Sequence, residues 1–550
     1  MGALLVRAAL FALALVPGLA EKALAEKVLA TASLREAAPS AAVAAVMNKP
    51  RYSGASWSLL VSDLSSGRTL MALNPDQLAF TGSVRKLFSV GRALQTLGPE
   101  HRVETTVLRR GSLGAGRLAG DLVLVAGGDL TFGGRRLPDG GVAFTAFDHN
   151  DANNLGTALL TPQDPLQALD ALAFQVRQAG IRQVEGDVVV DDRLFPAYRV
   201  PNGNLLIPPI LVNENMVDVS VTPTAMGEPA RVDWRPRSAA FQVRSSVRTV
   251  AAGGPAVLDL SDLGQMDCQW REPCTGTISG TIPLDYRAPL SGSPVAVRTF
   301  RIEDPASYAR IAFHEALARA GVVVRAPLLA PNDPSRLQPA GSGDAEQTNK
   351  QAAQLTEEQT VASWRSTPYG ALARLILKVS LNLGANLSLT QVGLVEGERQ
   401  VDGALAAERR DLNRQGLSPQ SFRFPSNGSG SPDSQATPRA VVQWLEIMHG
   451  SPQAAVFRSA LPVLGVDGSL AETGRDLTAR GEVMAKTGTT IDSTGLKAQV
   501  LAGYLRSVSG RDLAFALFVN DAGPVSSITD VAEVFEDQAV ITDLIRSWSP

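Results

Sequence analysis

Thr81-Gly82-Ser83-Val84-Arg85-Lys86 opens a run in which Leu87, Val90, Leu94 and Leu97 recur at helical spacing until Gly98-Pro99 ends it. This places Ser83 in the first turn of a helix. Lys86 is one turn further along, on the same face. The start of a helix favours developing negative charge. A serine hydroxyl is a poor nucleophile until a base takes its proton, and a lysine held neutral by burial or a neighbouring cation can be that base. Alone the pair is a weak signal: Ser and Lys three apart are expected about once by chance in such a chain. The plain alternative is a helix-capping serine beside a solvated lysine.

Two later stretches change its weight. Lys486-Thr487-Gly488-Thr489, in VMAKTGTT, lies on an expected strand near the chain's end. A cation and hydroxyls on an edge strand can hold a substrate carboxylate, and the strand's backbone can align an extended peptide. Chance occurrence of Lys-Thr-Gly is below roughly one in ten here, against the alternative of a strand-end turn. Ser380-Leu381-Asn382 sits between two helix-like segments, the first from Tyr369 to Val379. Its serine and asparagine can relay a proton and bond a substrate amide, although an ordinary capping turn reads the same way. The chain has eight lysines against 43 arginines, so a lysine draws notice, because lysine can lose its proton and arginine cannot.

The ends of the chain share a texture. Trp57 to Asp63 and Thr69 to Leu73 read as strands joined by the turn Ser65-Ser66-Gly67-Arg68. Val483 to Thr487, Lys497 to Leu505 and Leu513 to Val519 also read as strands, and a helix from about Ile528 to Trp548 closes the chain. Strands at both ends with helices between them suggest one antiparallel sheet built from the two termini. Residues 100–330 differ, with short β-like runs (120–126, 186–190, 231–234, 256–260, 295–298) and helices over Pro165 to Ala179 and Ser307 to Ala320. Residues 331–360 read as a flexible linker or surface loop.

In this order the motifs resemble the serine, serine-asparagine and lysine-threonine-glycine signature of penicillin-binding proteins and serine β-lactamases. The long gap from Ser83 to Ser380 resembles the class C low-molecular-mass penicillin-binding proteins, the D-alanyl-D-alanine carboxypeptidase/endopeptidase family, whose members carry accessory domains at this point. LGPEHRVET, GDLVLVAGGDLTF, VEGDVVVDDRLF, LPVLGVDGSLAETGR and VLAGYL match its texture. The resemblance implies an α+β fold: a transpeptidase-like domain in two parts, 26–100 and 361–550, around mostly β accessory domains at 101–360. It implies that Ser83 is acylated, with Lys86 its base. Ser380 and Asn382 would assist proton transfer and substrate binding, and Lys486, Thr487 and Thr489, around Gly488, would meet the substrate's terminal carboxylate. The amides of Ser83 and Thr489 would form the oxyanion hole. Peptidoglycan peptides and β-lactam antibiotics are the implied partners, with no metal or organic cofactor.

Leu381 stands where the family commonly has Asp or Asn, and Asn386 where the next helix usually carries an acid. TTIDSTGLKAQ and NGSGSPDSQATP match only in part. Two alternatives follow: a β-lactamase-like hydrolase, or a non-catalytic wall-binding protein that keeps the fold.

With 550 residues and a net charge of −3, there is no electrostatic case for nucleic acid. Arg7, the apolar run Ala8 to Val16 and the small residues after it read as a signal peptide, residues 1–25, too short to span a bilayer. No later stretch is a convincing span. An exported protein of the periplasm or cell envelope is expected, without an integral membrane segment once the signal is removed. Cys268 and Cys274 suggest a disulfide in such a compartment. His101, His149, His314 and His449 show no zinc-type spacing.

Overall fold

The computed structural model describes residues 37–261, 268–337 and 358–548. The expected signal peptide and residues 338–357 of the expected linker lie outside them.

The first described helix is α1 (Ala41–Met47), capped by the Ser40 hydroxyl. Strands β1 (Ser56–Asp63) and β2 (Thr69–Leu73) follow, joined by the expected turn. The Asp63 carboxylate fixes that turn by accepting from the Ser65 and Ser66 amides. A short 3-10 turn, Gly82–Arg85, then leads into α2 (Lys86–Leu97).

The chain next makes a long excursion. Strands β3 (Glu104–Gly114) and β4 (Arg117–Val125) pair antiparallel. Strand β5 (Val188–Asp191) extends this sheet in parallel beside β4, and helix α3 (Gln167–Gln178) packs in the same apolar core. A second sheet joins β6 (Met216–Thr222), β7 (Arg231–Arg235) and, further along the chain, β9 (Ala296–Arg301). A third is centred on β8 (Cys274–Pro283), beside the Cys268–Cys274 disulfide. Helix α4 (Pro305–Arg319) packs with α3 in one apolar core of the excursion. The excursion ends at β10 (Glu358–Arg365), which pairs antiparallel with β3, Thr105 opposite Trp364. Its exit therefore lies beside its entrance. Residues 358–360, expected in the linker, already belong to this strand, because β3 offers them backbone partners.

Five helices return the chain to its starting point: α5 (Tyr369–Lys378), α6 (Asn382–Val395), α7 (Val401–Arg414), α8 (Pro438–His449) and a short one over Ala454–Ala460. Strands β11 (Val483–Asp492), β12 (Gly495–Arg506) and β13 (Asp512–Asn520) precede the closing helix α9 (Ile528–Ser547). They complete a five-stranded antiparallel sheet, in the order β2-β1-β13-β12-β11. In it β1 pairs with β13, Leu59 opposite Leu517.

Period-two alternation gives this sheet two apolar faces. Leu59, Val61, Phe515, Leu517 and Val519 pack in the core that contains α1 and α9. Leu60, Ala516, Phe518 and Val500 pack in the core that contains α2, α5, α6 and α8. In that second core Trp444 of α8 stacks on Phe88 and donates to the Leu87 carbonyl at 2.8 Å, which anchors α2 behind the Ser83 turn. Among the described residues no helix is long and apolar enough to cross a membrane.

Candidate active site

Ser83 lies in the 3-10 turn, and the α-helix proper begins at Lys86. The expected α-turn is tightened because Gly82 holds φ at +47° and the turn is pressed against β11. A Cβ on Gly82 would fall 2.6 Å from the Thr489 nitrogen, and one on Gly488 would fall 2.2 Å from the Thr81 carbonyl oxygen. Two glycines therefore let strand and turn touch backbone to backbone. In a 3-10 turn side chains three apart eclipse, which places Lys86 Nζ 2.6 Å from Ser83 Oγ. Arg85, between them, points into the core, where it pairs with Glu408 of α7 and lies over Phe424 at 4.0 Å.

Lys86 is fully buried. Besides Ser83, its Nζ meets Asn382 Oδ1 at 2.7 Å, the Ser429 carbonyl oxygen at 3.2 Å and Ser380 Oγ at 3.3 Å. Ser380 reaches it from a left-handed backbone conformation, φ +60°, between α5 and α6. Lys486 Nζ approaches Ser380 Oγ from the other side at 2.9 Å and also donates to the Thr487 carbonyl at 2.8 Å. The Ser380 hydroxyl thus sits between two lysines. Burial, and after it the Lys486 ammonium, hold Lys86 well below the ordinary lysine range, against a smaller opposing pull from Asp151. Burial pushes Lys486 down to about 7, again opposed by Asp151.

The structure thus gathers Ser83, Lys86, Ser380, Asn382 and Lys486 in one hydrogen-bonded cluster. Thr487 and Thr489 lie beside it on β11. The Thr487 hydroxyl is 2.9 Å from Ser469 Oγ, and the Thr489 hydroxyl donates to Gln499 Oε1 of β12 at 2.9 Å. Gly488 contributes its lack of a side chain.

Several participants escaped sequence reasoning. The Ser/Gly-rich loop is stitched by Asn427 Oδ1, which accepts from the Ser429 and Gly430 amides at 2.8 and 2.7 Å, and it delivers the Ser429 carbonyl to Lys86. The repeated Ser and Gly were the available signal. Asp151 comes from the accessory excursion and carries no local signature. Burial holds its carboxyl above the ordinary range, against the pull of Lys86. Its neighbour Asn150 donates to the Val379 carbonyl, next to Ser380, at 3.5 Å.

The two departures have structural explanations. Leu381 is buried in the helical core, so it is a packing residue beside the site. Asn386 Oδ1 accepts from the Gly428 amide at 2.8 Å and its Nδ2 donates to the Asn382 carbonyl at 2.9 Å. It thereby ties the Ser/Gly-rich loop to α6, a job that uses both ends of an amide. A carboxylate supplies only acceptors.

Asp148, His149 and Glu214 are close enough together to share a metal ion. The Arg135 guanidinium already bonds both carboxylates, at 2.6 Å to Asp148 Oδ2 and 3.1 Å to Glu214 Oε2. His149 spans Glu214 and Asp218, at 3.3 and 2.7 Å. The negative charge is balanced by side chains, and the group is a buried ion network.

A model of the family described as D-Ala-D-Ala carboxypeptidase 3 (S13) matches residues 39–538. The chain belongs to that family. Membership makes it a serine D-Ala-D-Ala peptidase, in agreement with the resemblance read from the motifs. The D-alanyl-D-alanine carboxypeptidase of an Actinomadura species is 28% identical over 506 residues, covering 87% of this chain and 80% of that protein. Carboxypeptidase DacB of Mycolicibacterium smegmatis is 30% identical over 172 residues, 30% of this chain and 36% of that one. Among solved structures, penicillin binding protein 4 (dacB) from Haemophilus influenzae superposes with a TM-score of 0.66 at 18% identity. It covers 92% of this family member and 99% of its own chain, and it shows the shared fold, accessory excursion included.

Proposed function

We propose that this family member cleaves peptidoglycan stem peptides through an acyl-enzyme on Ser83, with Lys86 as its base. The observation that carries the reading is the 2.6 Å contact between Ser83 Oγ and the Lys86 amine, whose burial favours its neutral form. A neutral amine has two protons and one lone pair. If its protons go to Asn382 Oδ1 and the Ser429 carbonyl, the lone pair is left for the Ser83 proton. Ser83 then attacks the carbonyl between the two terminal D-alanines. The backbone amides of Ser83 and Thr489 stabilise the oxyanion. The proton returns from Lys86 through Ser380 to the leaving amine. Lys486, in its charged form, binds the terminal carboxylate with the Thr487 and Thr489 hydroxyls. Water then cleaves the ester by the reverse sequence. β-Lactams acylate Ser83 in the same way, because their strained amide resembles the substrate.

The intact cluster favours catalysis over passive wall binding, since Leu381 and Asn386 have structural roles and neither removes a reacting group. An exported protein of the periplasm or cell envelope fits the wall substrate and the Cys268–Cys274 bridge. The test is release of D-alanine from an N-acylated D-Ala-D-Ala peptide. The wild-type protein is expected to release it, and Ser83→Ala to lose at least about a thousandfold in rate. Equal rates would reject Ser83 as the nucleophile.

A further inference from the structure

LPVLGVDGSLAETGR, residues 461–475, has no part in the reaction just described. It forms a strap between the second and third motifs. Pro462 and Leu464 pair with the outer edge of β11: the Ala485 amide donates to the Pro462 carbonyl at 2.9 Å, and the Leu464 amide to the Val483 carbonyl at 3.0 Å. The strap thus follows the edge strand up to the residue before Lys486.

Three residues further on, Asp467 grips the other motif. Lys378, the last residue of α5 and two before Ser380, places Nζ 2.6 Å from each oxygen of the Asp467 carboxylate. That lysine is only 2% exposed. The same carboxylate accepts from the Val463 amide at 2.9 Å, which folds the strap back on itself. Gly468 then passes close to α5, in a left-handed conformation with φ +61°, where a Cβ would fall 2.6 Å from the Lys378 carbonyl oxygen. The next residue, Ser469, ends with Oγ 2.9 Å from Thr487 Oγ1. One continuous path therefore joins the segment that carries Ser380 to the hydroxyl of Thr487.

We propose that Ser469 is a positioning residue that sets the direction of the Thr487 proton toward the substrate's terminal carboxylate. The inference rests on the assignment of Thr487 to carboxylate binding. Each hydroxyl has one proton to give. A carboxylate only accepts, so Thr487 must donate to it. The Ser469–Thr487 bond must then run from the Ser469 proton to the Thr487 oxygen. The Lys378–Asp467 pair holds Ser469 at that distance. Without Ser469 the Thr487 oxygen keeps only the longer, 3.5 Å approach of Lys486 Nζ, and its proton loses the orientation that Ser469 sets, which weakens binding of the charged end but leaves the acylation machinery in place.

The test compares peptides ending in D-Ala-D-Ala as the free acid and as the terminal amide, on the full chain. In Ser469→Ala, KM for the acid is expected to rise by roughly 5- to 10-fold with kcat within about twofold, the size of one neutral hydrogen bond lost beside the carboxylate contact. The amide's KM is expected to stay near its wild-type value, so the preference for acid over amide narrows. Ser469→Thr, which keeps a hydroxyl, is expected to restore the preference. Ser469→Ala with an unchanged acid-to-amide preference, or with acid and amide weakened alike, overturns the inference. D-Alanine release by the wild type is read in the same experiment, and its absence would reject the underlying function and not this residue alone.

Discussion

At the scale of single residues, the site is an arrangement of two buried lysines and the proton they cannot both hold. Burial, and after it a charged Lys486, hold Lys86 well below the ordinary lysine range, which favours the neutral amine that the proposed reaction at Ser83 needs. The pH dependence of kcat/KM follows. Activity rises as Lys86 loses its proton, at a pH well below the ordinary lysine range. It falls as Lys486 loses its own near pH 7, because the neutral amine no longer attracts a carboxylate. A bell with its falling limb near neutrality is expected, measured by D-alanine release across pH. Lys486→Arg, which stays charged, should remove the falling limb while lowering the maximum. The side chains that the fold gathers around Ser83 were legible as a group because the proposed chemistry needs particular residue types in a particular order. Leu381 and Asn386 stand out as departures in the sequence because sequence does not say which way a side chain points. One faces the core, and the other binds a loop 42 positions away.

At the scale of elements, the decisive contact is the backbone of β11 lying on the Ser83 turn. Gly488→Ala would put a Cβ 2.2 Å from the Thr81 carbonyl oxygen and 3.0 Å from the Ser83 nitrogen. The strand must then lift from the turn. A folded protein is expected whose acylation by benzylpenicillin slows by roughly a hundredfold or more, measured by the rate of adduct formation, since displacement of the proposed oxyanion donor costs about that much. Strands that alternate strongly, such as β1, β12 and β13, were legible from their period. Glu104–Gly114 and Cys274–Pro283 were not. The first interrupts its alternation with Arg109 and Arg110 and half-buries both faces. The second, CTGTISGTIP, is mostly small and polar, and its neighbours supply the apolar contacts. Tertiary partners, not local propensity, make both of them strands.

At the scale of the whole molecule, the excursion is both a separate core and a contributor to the site. Its Asp148–Asn150 turn carries Asp151 to the two lysines, and that turn is held by Arg135, Glu214, His149 and Asp218. Burial alone would lower the His149 pKa, but the Asp218 and Glu214 carboxylates outweigh it and raise it to about 10. A histidine raised from 6.5 in this way contributes stability that is complete below pH 6.5 and lost as pH rises through about 10. His149→Gln is therefore expected to cost roughly 3–5 kcal/mol in urea denaturation near pH 7, the usual cost of breaking a buried ion pair. The gap from wild type should shrink as pH rises toward 10. None of this network was legible, because its members are separated by up to 83 positions and meet only in the fold. The sheet built from both termini was legible, because its strands announce themselves at each end.

The central claim is that Ser83 is a nucleophile activated by Lys86, and intact mass after incubation with benzylpenicillin tests it most directly. One covalent adduct per wild-type chain is expected, and none on Ser83→Ala of equal thermal stability. A folded wild-type chain that forms no adduct and consumes no penicillin, or an adduct that persists in Ser83→Ala, would contradict it.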